Sequence, residues 1–334
     1  MARIGIDAMG GDHGPKVTVE GAVMASANHP DAALHLVGDQ ETIQAELDKH
    51  GVDPARFVVH HASQAVEMHE SPVDALRKKP DSSIRVMMHL LKEQKIDTVF
   101  SAGNTGAMVA AATMGLGLLP GVSRAGILIT FPLGERPTVM IDAGANIQCK
   151  PLHLYQYALM ANEFTARVYG VEKPSVGLLN VGEEEEKGNQ LVKETRDLLA
   201  ESPLHYIGNV EGGDIFMGDC DVIVCDGFVG NIVLKVSEGL SERMIQLLKG
   251  KLAMLAGADS SGGMGALSDS LGDLANMVDY SEYGGAPLLG VAGNVIIGHG
   301  RSDAKAVASA LRLAWQMHHV NVKDFMGQAV ESTG

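Results

Sequence analysis

The stretch "TVFSAGNTGAMVAAA", from Thr98 to Ala112, changes character twice along its length. An apolar run ends at Phe100, a loop of small polar residues follows, and a segment dense in Ala and Met comes next. This order predicts a strand, a tight loop and a helix that begins near Thr105. The free N–H groups and the positive dipole end of a helix start bind anions. The backbone from Gly103 to Gly106 is therefore a candidate anion cradle.

The class of anion follows from two motifs that the chain lacks. A nucleotide-binding P-loop needs the pattern GxxxxGK[ST], which is absent from the sequence. The segment "GLGLLPG" (Gly115–Gly121) has the wrong glycine spacing for a dinucleotide fingerprint, and no strand precedes it. Nucleotide binding thus loses support, and a small anion such as phosphate remains.

Strand-like runs recur along the chain, and several end in loops of the same kind. They include "LHLVGD" (34–39), "TVMIDAG" (138–144), "SVGLLNVG" (175–182), "DVIVCDG" (221–227) and "NVIIGHG" (294–300). Apolar strands separated by helical segments predict an α/β fold with a mainly parallel sheet and helices on both faces. Ligands bind beyond the carboxyl ends of such strands, so we expect the loops to gather on one edge and line one cleft. Tight strand–helix connections are the alternative explanation, because Gly and Asn suit them anyway.

Composition and charge exclude several classes of protein. The chain has 334 residues, of which 46% are hydrophobic, a composition typical of a globular protein. The net charge of −15 argues against nucleic-acid binding, because a phosphate backbone needs a basic stripe. Three cysteines without metal-ligand spacing indicate reduced thiols in a cytosolic protein. The sequence shows no signal peptide and no uninterrupted apolar stretch long enough to span a bilayer.

Polar side chains after other strands supply further candidates, each with a structural alternative. "DAMGGDHGPK" places His13 and Lys16 after the first strand, with too few acids for a metal cage. Asp226 and Asn231 in "DGFVGN" lie at another strand–helix junction, where either side chain also suits a helix cap. His299 in "HGRSDAKA" is a catalytic candidate, although a lone histidine is more often structural.

Two further segments are interpreted as helix starts. The acidic run Glu183–Glu186 suits a solvated first helical turn, which the helix dipole favours. Ser302 suits the N-cap of the helix that follows it. The sequence contains no G-x-S-x-G elbow, and its order supports neither a Cys–His pair nor a Ser–His–Asp triad. If the protein transfers a group, the bound anion itself is then the candidate nucleophile.

Seven motifs occur in the order found in one bacterial enzyme family. They are "DAMGGD", "SAGNTGA", "DAGAN", "NVGEEEEKG", "DGFVGN", "YGGAPLLG" and "HG-x-S", and they run from Asp7 to Ser302. On these motifs the chain resembles the bacterial phosphate acyltransferases of phospholipid synthesis. The resemblance implies a homodimer with a fold similar to isocitrate and isopropylmalate dehydrogenases and to phosphotransacetylase.

The resemblance also implies a reaction. Inorganic phosphate and long-chain acyl-acyl-carrier protein would give acyl phosphate and free acyl-carrier protein, without a cofactor or a metal. The acyl phosphate would feed a membrane glycerol-3-phosphate acyltransferase and so the synthesis of phosphatidic acid.

Residues and reaction together suggest roles for the loops. Phosphate already carries a nucleophilic oxygen, so the protein must orient it and stabilise the tetrahedral oxyanion. The candidate phosphate-binding residues are Gly103, Asn104, Thr105 and Gly106. The candidate catalytic residues are His13, Lys187, Asp226, Asn231 and His299, and the candidate substrate-binding residues are Lys16, Asn146 and Ser302. Lys187 or Lys16 would balance the phosphate charge, and no metal ligand is proposed.

We expect one two-lobed unit over residues 1–334, with a helical hairpin at 237–278. Apolar residues recur at helical spacing on both sides of the Gly/Ser-rich segment "ADSSGGMGAL". A core or dimer helix is one explanation of this pattern. The other is a tip that touches the inner face of the cell membrane and holds a cytoplasmic enzyme there peripherally. The candidate tip residues are Leu252, Leu255, Met264 and Leu267.

Two other functions remain open on the sequence. A decarboxylating dehydrogenase shares the implied fold, but it would need an acidic metal cluster and a dinucleotide site, and neither is visible. A small-anion-binding or scaffold protein at the membrane face would need the anion-binding loop but no catalytic residues.

Overall fold

The computed structural model describes residues 1–131, 136–256 and 285–332. The strands are β1 (Arg3–Asp7), β2 (Ala33–Gly38), β3 (Phe57–His61), β4 (Thr98–Ser101), β5 (Gly126–Phe131), β6 (Thr138–Ile141), β7 (Ser175–Leu179), β8 (His205–Val210), β9 (Val222–Val224), β10 (Ala286–Leu289) and β11 (Asn294–Ile297). The helices are α1 (Lys16–Asn28), α2 (Gln40–His50), α3 (Pro72–Lys78), α4 (Ser83–Lys92), α5 (Thr105–Gly115), α6 (Pro151–Tyr169), α7 (Gln190–Ala200), α8 (Gly227–Ala256), α9 (Ala304–His319) and α10 (Val322–Glu331).

In the described part of the chain the strands form one eleven-stranded sheet, in the order β3-β2-β1-β4-β11-β10-β5-β6-β9-β7-β8. Parallel pairing joins β3, β2, β1, β4 and β11, which we call the first half. Parallel pairing also joins β6, β9, β7 and β8, which we call the second half. Between the halves, β10 and β5 pair antiparallel with each other and with their outer neighbours. The predicted mainly parallel α/β sheet is confirmed.

The two central strands reverse the second half relative to the first. β5 is antiparallel to both β10 and β6, so β6 runs opposite to β11 and β4. Counted strand by strand through the sheet, β1, β4 and β11 therefore run in the opposite direction to β6, β7 and β9. Loops after β4, β6, β9 and β11 nevertheless line one common cavity, as expected, whereas those after β1 and β7 do not line it. The sequence indicates where the strands are, but it does not show which way β5 and β10 run.

Helices cover both faces of the sheet, as predicted. Neighbouring residues of β4 show the division, because Phe100 belongs to one core cluster and Val99 to another. The Phe100 cluster takes in α1, α2, α6, α9 and α10, with members such as Val19 and Phe164 fully buried. The Val99 cluster takes in α3, α4 and α5, with Met87 among its fully buried members.

Local sequence signals predict several helix boundaries correctly and one boundary wrongly. Gly51 ends α2 in the left-handed conformation at φ 61°, and Asn104 is the N-cap of α5, which begins at Thr105 as predicted. The interpretation of Glu183–Glu186 as a first helical turn is wrong. The segment is irregular, and α7 begins later, where the Asn189 side chain accepts the N–H of Val192. A neutral cap rather than the acidic run starts this helix.

The predicted hairpin begins within a longer helix. α8 runs without interruption from Gly227 to Ala256, so residues 237–256 are its C-terminal part. The second arm of the hairpin lies in 257–284, outside the described residues. The three cysteines are free thiols. Burial raises the pKa of Cys149 to about 11 and that of Cys220 to about 12, so neither thiol is activated as a nucleophile.

Candidate active site

A hydrogen-bonded joint holds the loop after β4 against the loop after β1. Ser101 Oγ donates to Asp7 Oδ2 at 2.7 Å, and the Gly103 N–H donates to Ser101 Oγ at 3.0 Å. Burial raises the pKa of the Asp7 carboxyl, while hydrogen bonds from hydroxyl and N–H groups oppose that shift. Gly10 is required here, because a Cβ atom would lie 2.9 Å from both Asp7 Oδ2 and the Gly103 nitrogen. The joint fixes the backbone immediately before α5.

Asn104 holds the start of α5 from both sides. Its Oδ1 accepts the N–H of Ala107 at 3.0 Å and so caps the helix. Its Nδ2 donates to the carbonyl oxygens of Glu67, Met68 and Glu70 at 3.1–3.3 Å. Every polar atom of this side chain therefore has a structural partner.

A large cavity lies next to this helix start. Its volume is about 1070 Å³, and its lining includes Thr105 and Gly106 but neither Gly103 nor Asn104. The first N–H groups of a helix have no carbonyl partner within the helix. Gly106 is packed against α3, since a Cβ atom there would lie 2.6 Å from Pro72 Cγ. Main-chain donors of Thr105 and Gly106 are thus the part of the predicted cradle that borders the cavity.

A buried carboxylate organises the loop after β6. Asp142 accepts the N–H groups of Ile127, Gly144 and Ala145 at 2.7–3.1 Å, and that of Asn146 at 2.8 Å. Burial raises the pKa of the Asp142 carboxyl, and these N–H donors oppose the shift. The Asn146 amide donates to the Ala125 carbonyl at 2.6 Å and approaches the Asp142 carboxylate. Asn146 lines the cavity, but its N–H groups already serve the loop.

The start of α8 reaches the same cavity from the second half of the sheet. Asp226 Oδ1 accepts the N–H groups of Phe228 and Val229 at 2.9 and 3.0 Å, so this carboxylate caps the helix. Asn231, one turn further on, lines the cavity. It lies against the loop after β6, where a Cβ atom on Gly144 would be 3.3 Å from Asn231 Oδ1.

Charged residues of α8 meet the loop after β11 at the cavity wall. Lys235 Nζ lies 2.8 Å from Glu238 Oε2 and 3.3 Å from His299 Nε2. His299 Nε2 is 3.7 Å from the same Glu238 oxygen. Burial lowers the pKa of His299, and the charge of Glu238 opposes that shift. Next to them, Arg301 pairs with Glu242 at 2.8 Å.

Another part of the cavity lining is apolar. β5 contributes Ile127, Ile129 and Phe131, which alternate along the strand and so point to one face. α5 adds side chains along its length, among them Val109 and Met114. The cavity therefore joins helix-start donors and charged groups to an extended apolar surface.

Comparisons with known proteins agree with this architecture. The family described as "Fatty acid synthesis protein" matches residues 2–324. A phosphate acyltransferase of Geobacter sp. (strain M21) is 46% identical over 329 residues, which cover 98% of this chain and 92% of that protein. The chain belongs to the phosphate acyltransferase family. It is an acyltransferase of fatty acid and phospholipid synthesis, and the resemblance read from its motifs is confirmed.

Solved structures show the same fold at low sequence identity. The EutD phosphotransacetylase of Staphylococcus aureus superposes with a TM-score of 0.60 at 15% identity, covering 95% of this chain and 94% of that one. A 4-hydroxythreonine-4-phosphate dehydrogenase of Klebsiella pneumoniae gives a TM-score of 0.57 at 13% identity, covering 95% and 98%. The predicted relationship to phosphotransacetylase and dehydrogenase folds is confirmed.

The cavity of this acyltransferase brings together only part of the predicted site. The predicted residues among its lining are Thr105, Gly106, Asn146, Asn231, His299 and Ser302. Those outside its lining are His13, Lys16, Gly103, Asn104, Lys187 and Asp226. Lys187 instead lies 3.8 Å from Glu184, and His13 and Lys16 are exposed after β1. The roles suggested for these three side chains stay predictions.

The expected N-cap role of Ser302 is wrong. Ser302 Oγ accepts the N–H of His299 at 3.2 Å and so closes the turn after β11. Asp303 caps α9 instead, because its Oδ1 accepts the N–H of Ala306 at 2.8 Å. An aspartate next to the helix competes better for the free N–H groups than the serine before it.

Sequence reasoning passed over Asp142, Lys235 and Glu238. A signal for the last two was present, because Asn231, Lys235, Glu238 and Glu242 recur every three or four residues and so share one helical face. Polar residues on one face of an otherwise apolar helix indicate that this face lines a cavity or makes a polar contact. Asp142 carried no such signal, since its partners include the N–H of Ile127 on another strand.

Three observations bear on metals and the membrane. Within residues 1–131, 136–256 and 285–332, no cluster of three or more His, Cys, Asp or Glu side chains could hold a metal ion. Over the same ranges, no helix is long and apolar enough to cross a bilayer. Of the predicted tip residues, Met264 and Leu267 lie outside the described residues, and the side chains of Leu252 and Leu255 are not described.

Proposed function

We propose that this chain transfers a long fatty acyl group from acyl-carrier protein to inorganic phosphate, giving acyl phosphate and free carrier protein. The observation that carries the proposal is the cavity itself. Helix-start donors at Thr105 and Gly106 suit a phosphate, and the wall of Ile127, Ile129 and Phe131 suits an acyl chain. The name of the relatives, phosphate acyltransferase, supports a transfer that involves an acyl group and phosphate.

The reaction needs no protein nucleophile and no cofactor. A phosphate oxygen attacks the thioester carbonyl carbon, and the tetrahedral intermediate places negative charge on the former carbonyl oxygen. Collapse of the intermediate forms the acyl–phosphate bond and breaks the carbon–sulfur bond, and the carrier leaves as its thiolate, which takes up a proton. The protein contributes by holding the two reactants in line.

Asn231 is the candidate donor to the oxyanion. It lines the cavity close to the loop after β6, whereas the amide of Asn146 is occupied by the Ala125 carbonyl and its neighbours. His299 borders the same space from the other half of the sheet. A donor fixed in place before the reaction stabilises the developing charge more than water does. The apolar wall would also limit the access of water, which hydrolyses acyl phosphates.

The acidic carrier protein is proposed to dock at α3. Pro72 and Val73 of this helix line the cavity, and Arg77 and Lys78 are exposed at its other end. These two cations give a local positive patch despite the net charge of −15. Lys79 is unsuited to this role, because it is engaged by Glu70 and the Ala65 carbonyl.

The outer face of α8 supports a contact with a second copy of the chain. Val236, Leu240, Met244 and Leu247 are 46–63% exposed and recur at helical spacing on the side away from the cavity. We propose dimer contact along this stripe and membrane contact at the hairpin tip. Acyl phosphate could then pass to a glycerol-3-phosphate acyltransferase in the same membrane without crossing water. Liposome co-sedimentation of Leu255→Ser and Met264→Ser variants tests the tip, and retained binding with lost thermal stability would favour a core or dimer helix instead.

The decisive experiment incubates the protein with palmitoyl-acyl-carrier protein and phosphate and traps acyl phosphate as its hydroxamate. We expect a product that depends on both substrates and forms without ATP, divalent metal or nicotinamide. Phosphate binding without hydroxamate would favour a binding or scaffold protein. A strict requirement for a divalent ion would contradict the proposed mechanism.

The docking site has its own test. The double variant Arg77→Glu/Lys78→Glu should raise the KM for the acyl carrier and leave the KM for phosphate unchanged, and the difference should shrink at high salt. Lys193→Glu, on the exposed face of α7, is the matched control. An unchanged KM for the carrier would place the docking surface elsewhere.

A further inference from the structure

The cavity wall holds an ammonium group whose counter-charge is buried behind it. Lys235 and Glu238 are almost one turn apart on the cavity-facing side of α8, with Nζ and Oε2 2.8 Å apart. The Glu238 side chain is 7% exposed, whereas that of Lys235 is 52% exposed. A buried carboxylate needs such a partner, because an unpaired charge away from water is costly. Glu238 therefore holds the Lys235 ammonium at the surface of the cavity.

His299 lies against the same ion pair. The Arg301 N–H points at its Nδ1 at 3.2 Å, and Lys235 Nζ lies 3.3 Å from its Nε2. A neutral imidazole accepts at only one ring nitrogen, so each tautomer forms one of these two hydrogen bonds. His299 Nε2 is also 3.7 Å from Glu238 Oε2, which is close enough for a charge interaction but too far for a hydrogen bond. In either tautomer Glu238 remains the ion-pair partner of Lys235, and the ammonium keeps further N–H donors for the cavity.

Two other cations, Arg301 and Lys187, are less suited to bind an anion that enters the cavity. Arg301 is paired with Glu242, whose side chain is 41% exposed, so this pair belongs to the surface. Lys187, the sequence candidate for balancing charge, is not among the lining residues. Arg124 also lines the cavity, on the loop before β5.

We propose that Lys235 is the side chain that binds the phosphate substrate, and that Glu238 and His299 are positioning residues for its ammonium. The inference rests on the proposed function, because it assumes that phosphate enters this cavity. Thr105 and Gly106 would supply main-chain donors from the first half of the sheet, and Lys235 a charged donor from α8. A charge-assisted hydrogen bond is about twice as strong as a neutral one, so its loss should be visible in phosphate affinity.

Lys235→Met tests the binding role, with Lys235→Arg as the charge-retaining variant and Lys193→Met on α7 as the control. We expect Lys235→Met to raise the KM for phosphate by about tenfold or more, with a change below about twofold in the KM for the acyl carrier. Lys235→Arg should recover most of the loss, and Lys193→Met should behave as the wild type. An unchanged KM for phosphate in Lys235→Met would overturn the proposal, as would equal rises in both KM values.

A second measurement separates this inference from the proposed function. Inorganic phosphate alone should raise the thermal midpoint of the wild-type protein, and this shift should be lost in Lys235→Met and kept in Lys193→Met. If the wild type makes no acyl phosphate, the proposed function fails, and the thermal shift still tests Lys235. A wild type that phosphate does not stabilise, or a Lys235→Met protein that it still stabilises, would overturn the inference.

The positioning role of Glu238 calls for a double variant. Lys235→Met alone leaves the Glu238 carboxylate buried and unpaired, and the resulting instability could obscure the kinetics. Lys235→Met/Glu238→Gln removes that charge, so it should regain thermal stability while its KM for phosphate stays as high as that of Lys235→Met. Glu238→Gln alone should raise the KM for phosphate by a smaller factor and leave the KM for the carrier unchanged. If the effects of the two substitutions on the KM for phosphate were additive, Glu238 would not act through Lys235, and its positioning role would be contradicted.

Discussion

Two helices begin at the cavity, α5 from the first half of the sheet and α8 from the second, and their starts are built differently. A neutral amide, Asn104 Oδ1, caps α5 through the N–H of Ala107. A carboxylate, Asp226 Oδ1, caps α8 through the N–H groups of Phe228 and Val229. A negative cap already satisfies the positive end of the helix dipole, whereas a neutral cap leaves it for an external anion.

The residues that follow the two caps also differ, because α5 offers backbone donors and α8 offers side-chain donors. Thr105 and Gly106 give α5 a small surface on which backbone donors are accessible. On α8, Asn231 and Lys235 bring side-chain donors into the cavity. The backbone donors of α5 and the Lys235 ammonium thus suit the ground-state phosphate, and the Asn231 amide suits charge that develops during the reaction. Four predictions test this division of labour.

The largest effect is expected at α8. Asn231→Ala should lower kcat by about 10²–10³, the range found when one oxyanion donor is removed, with little change in the KM for phosphate. Gln246→Ala, on the same helix but outside the cavity lining, is the control. Steady-state kinetics with both substrates provides the measurement. A rise in the KM for phosphate at constant kcat would place Asn231 with the ground-state ligands.

The second-largest effect is expected at α5, on the kcat/KM for phosphate. Gly106→Leu would force a side chain into Pro72, whose Cγ is already 2.6 Å from the position of a Cβ atom. We expect about a hundredfold loss in kcat/KM for phosphate, because displacement by about 1 Å has effects of that size. Gly212→Leu is the control, since open space surrounds that position. Equal losses for phosphate and for the acyl carrier would contradict the assignment of α5 to phosphate.

Stability should distinguish the two caps. Asn104→Ala removes the cap of α5 together with the donors to three carbonyl groups of residues 67–70. We expect it to lower the free energy of unfolding by about 2–4 kcal/mol. Asp226→Ala removes a cap alone and should cost about 1 kcal/mol. Urea denaturation measures both, and equal losses would show that the anchoring of residues 67–70 contributes nothing.

The smallest effect is expected from the charge of the α8 cap. Asp226→Asn keeps the acceptor oxygen and removes the negative charge, so α8 should remain capped. Charges at exposed helix ends contribute about 0.3–1 kcal/mol, and the KM for phosphate should therefore change by less than about fivefold, downward. A collapse of kcat in this variant would instead restore Asp226 as a catalytic group.

The elements that the sequence predicts well are those that local chemistry decides. The start of α5 follows from a strand of apolar residues, an Asn cap and small residues, all within a few positions of one another. Gly51 ends α2 for an equally local reason, because it adopts a left-handed conformation. In both places the residues that determine the structure are next to the structure that they determine.

The features that the sequence does not predict depend on distant partners. The reversed direction of the second half is set by β5 and β10, which lie far apart in the chain and pair with each other. Asp142 acquires its role from the N–H of Ile127, and Lys235 acquires its position from Glu238 and His299 together. A single sequence gives the identity of such residues but not which of them meet.

The position of β11 in the sheet has a consequence for how the chain is made. β11 pairs with β4, in a register that sets Ile297 beside Ser101, and α9 packs on α1. During synthesis, β6, β9, β7 and β8 all leave the ribosome before the last strand of the first half exists. The N-terminal strands therefore wait with β4 as an unpaired edge, which is the kind of exposed edge that chaperones protect and that aggregation exploits. The first half of the sheet, whose N-terminal strands are synthesised first, is therefore completed last.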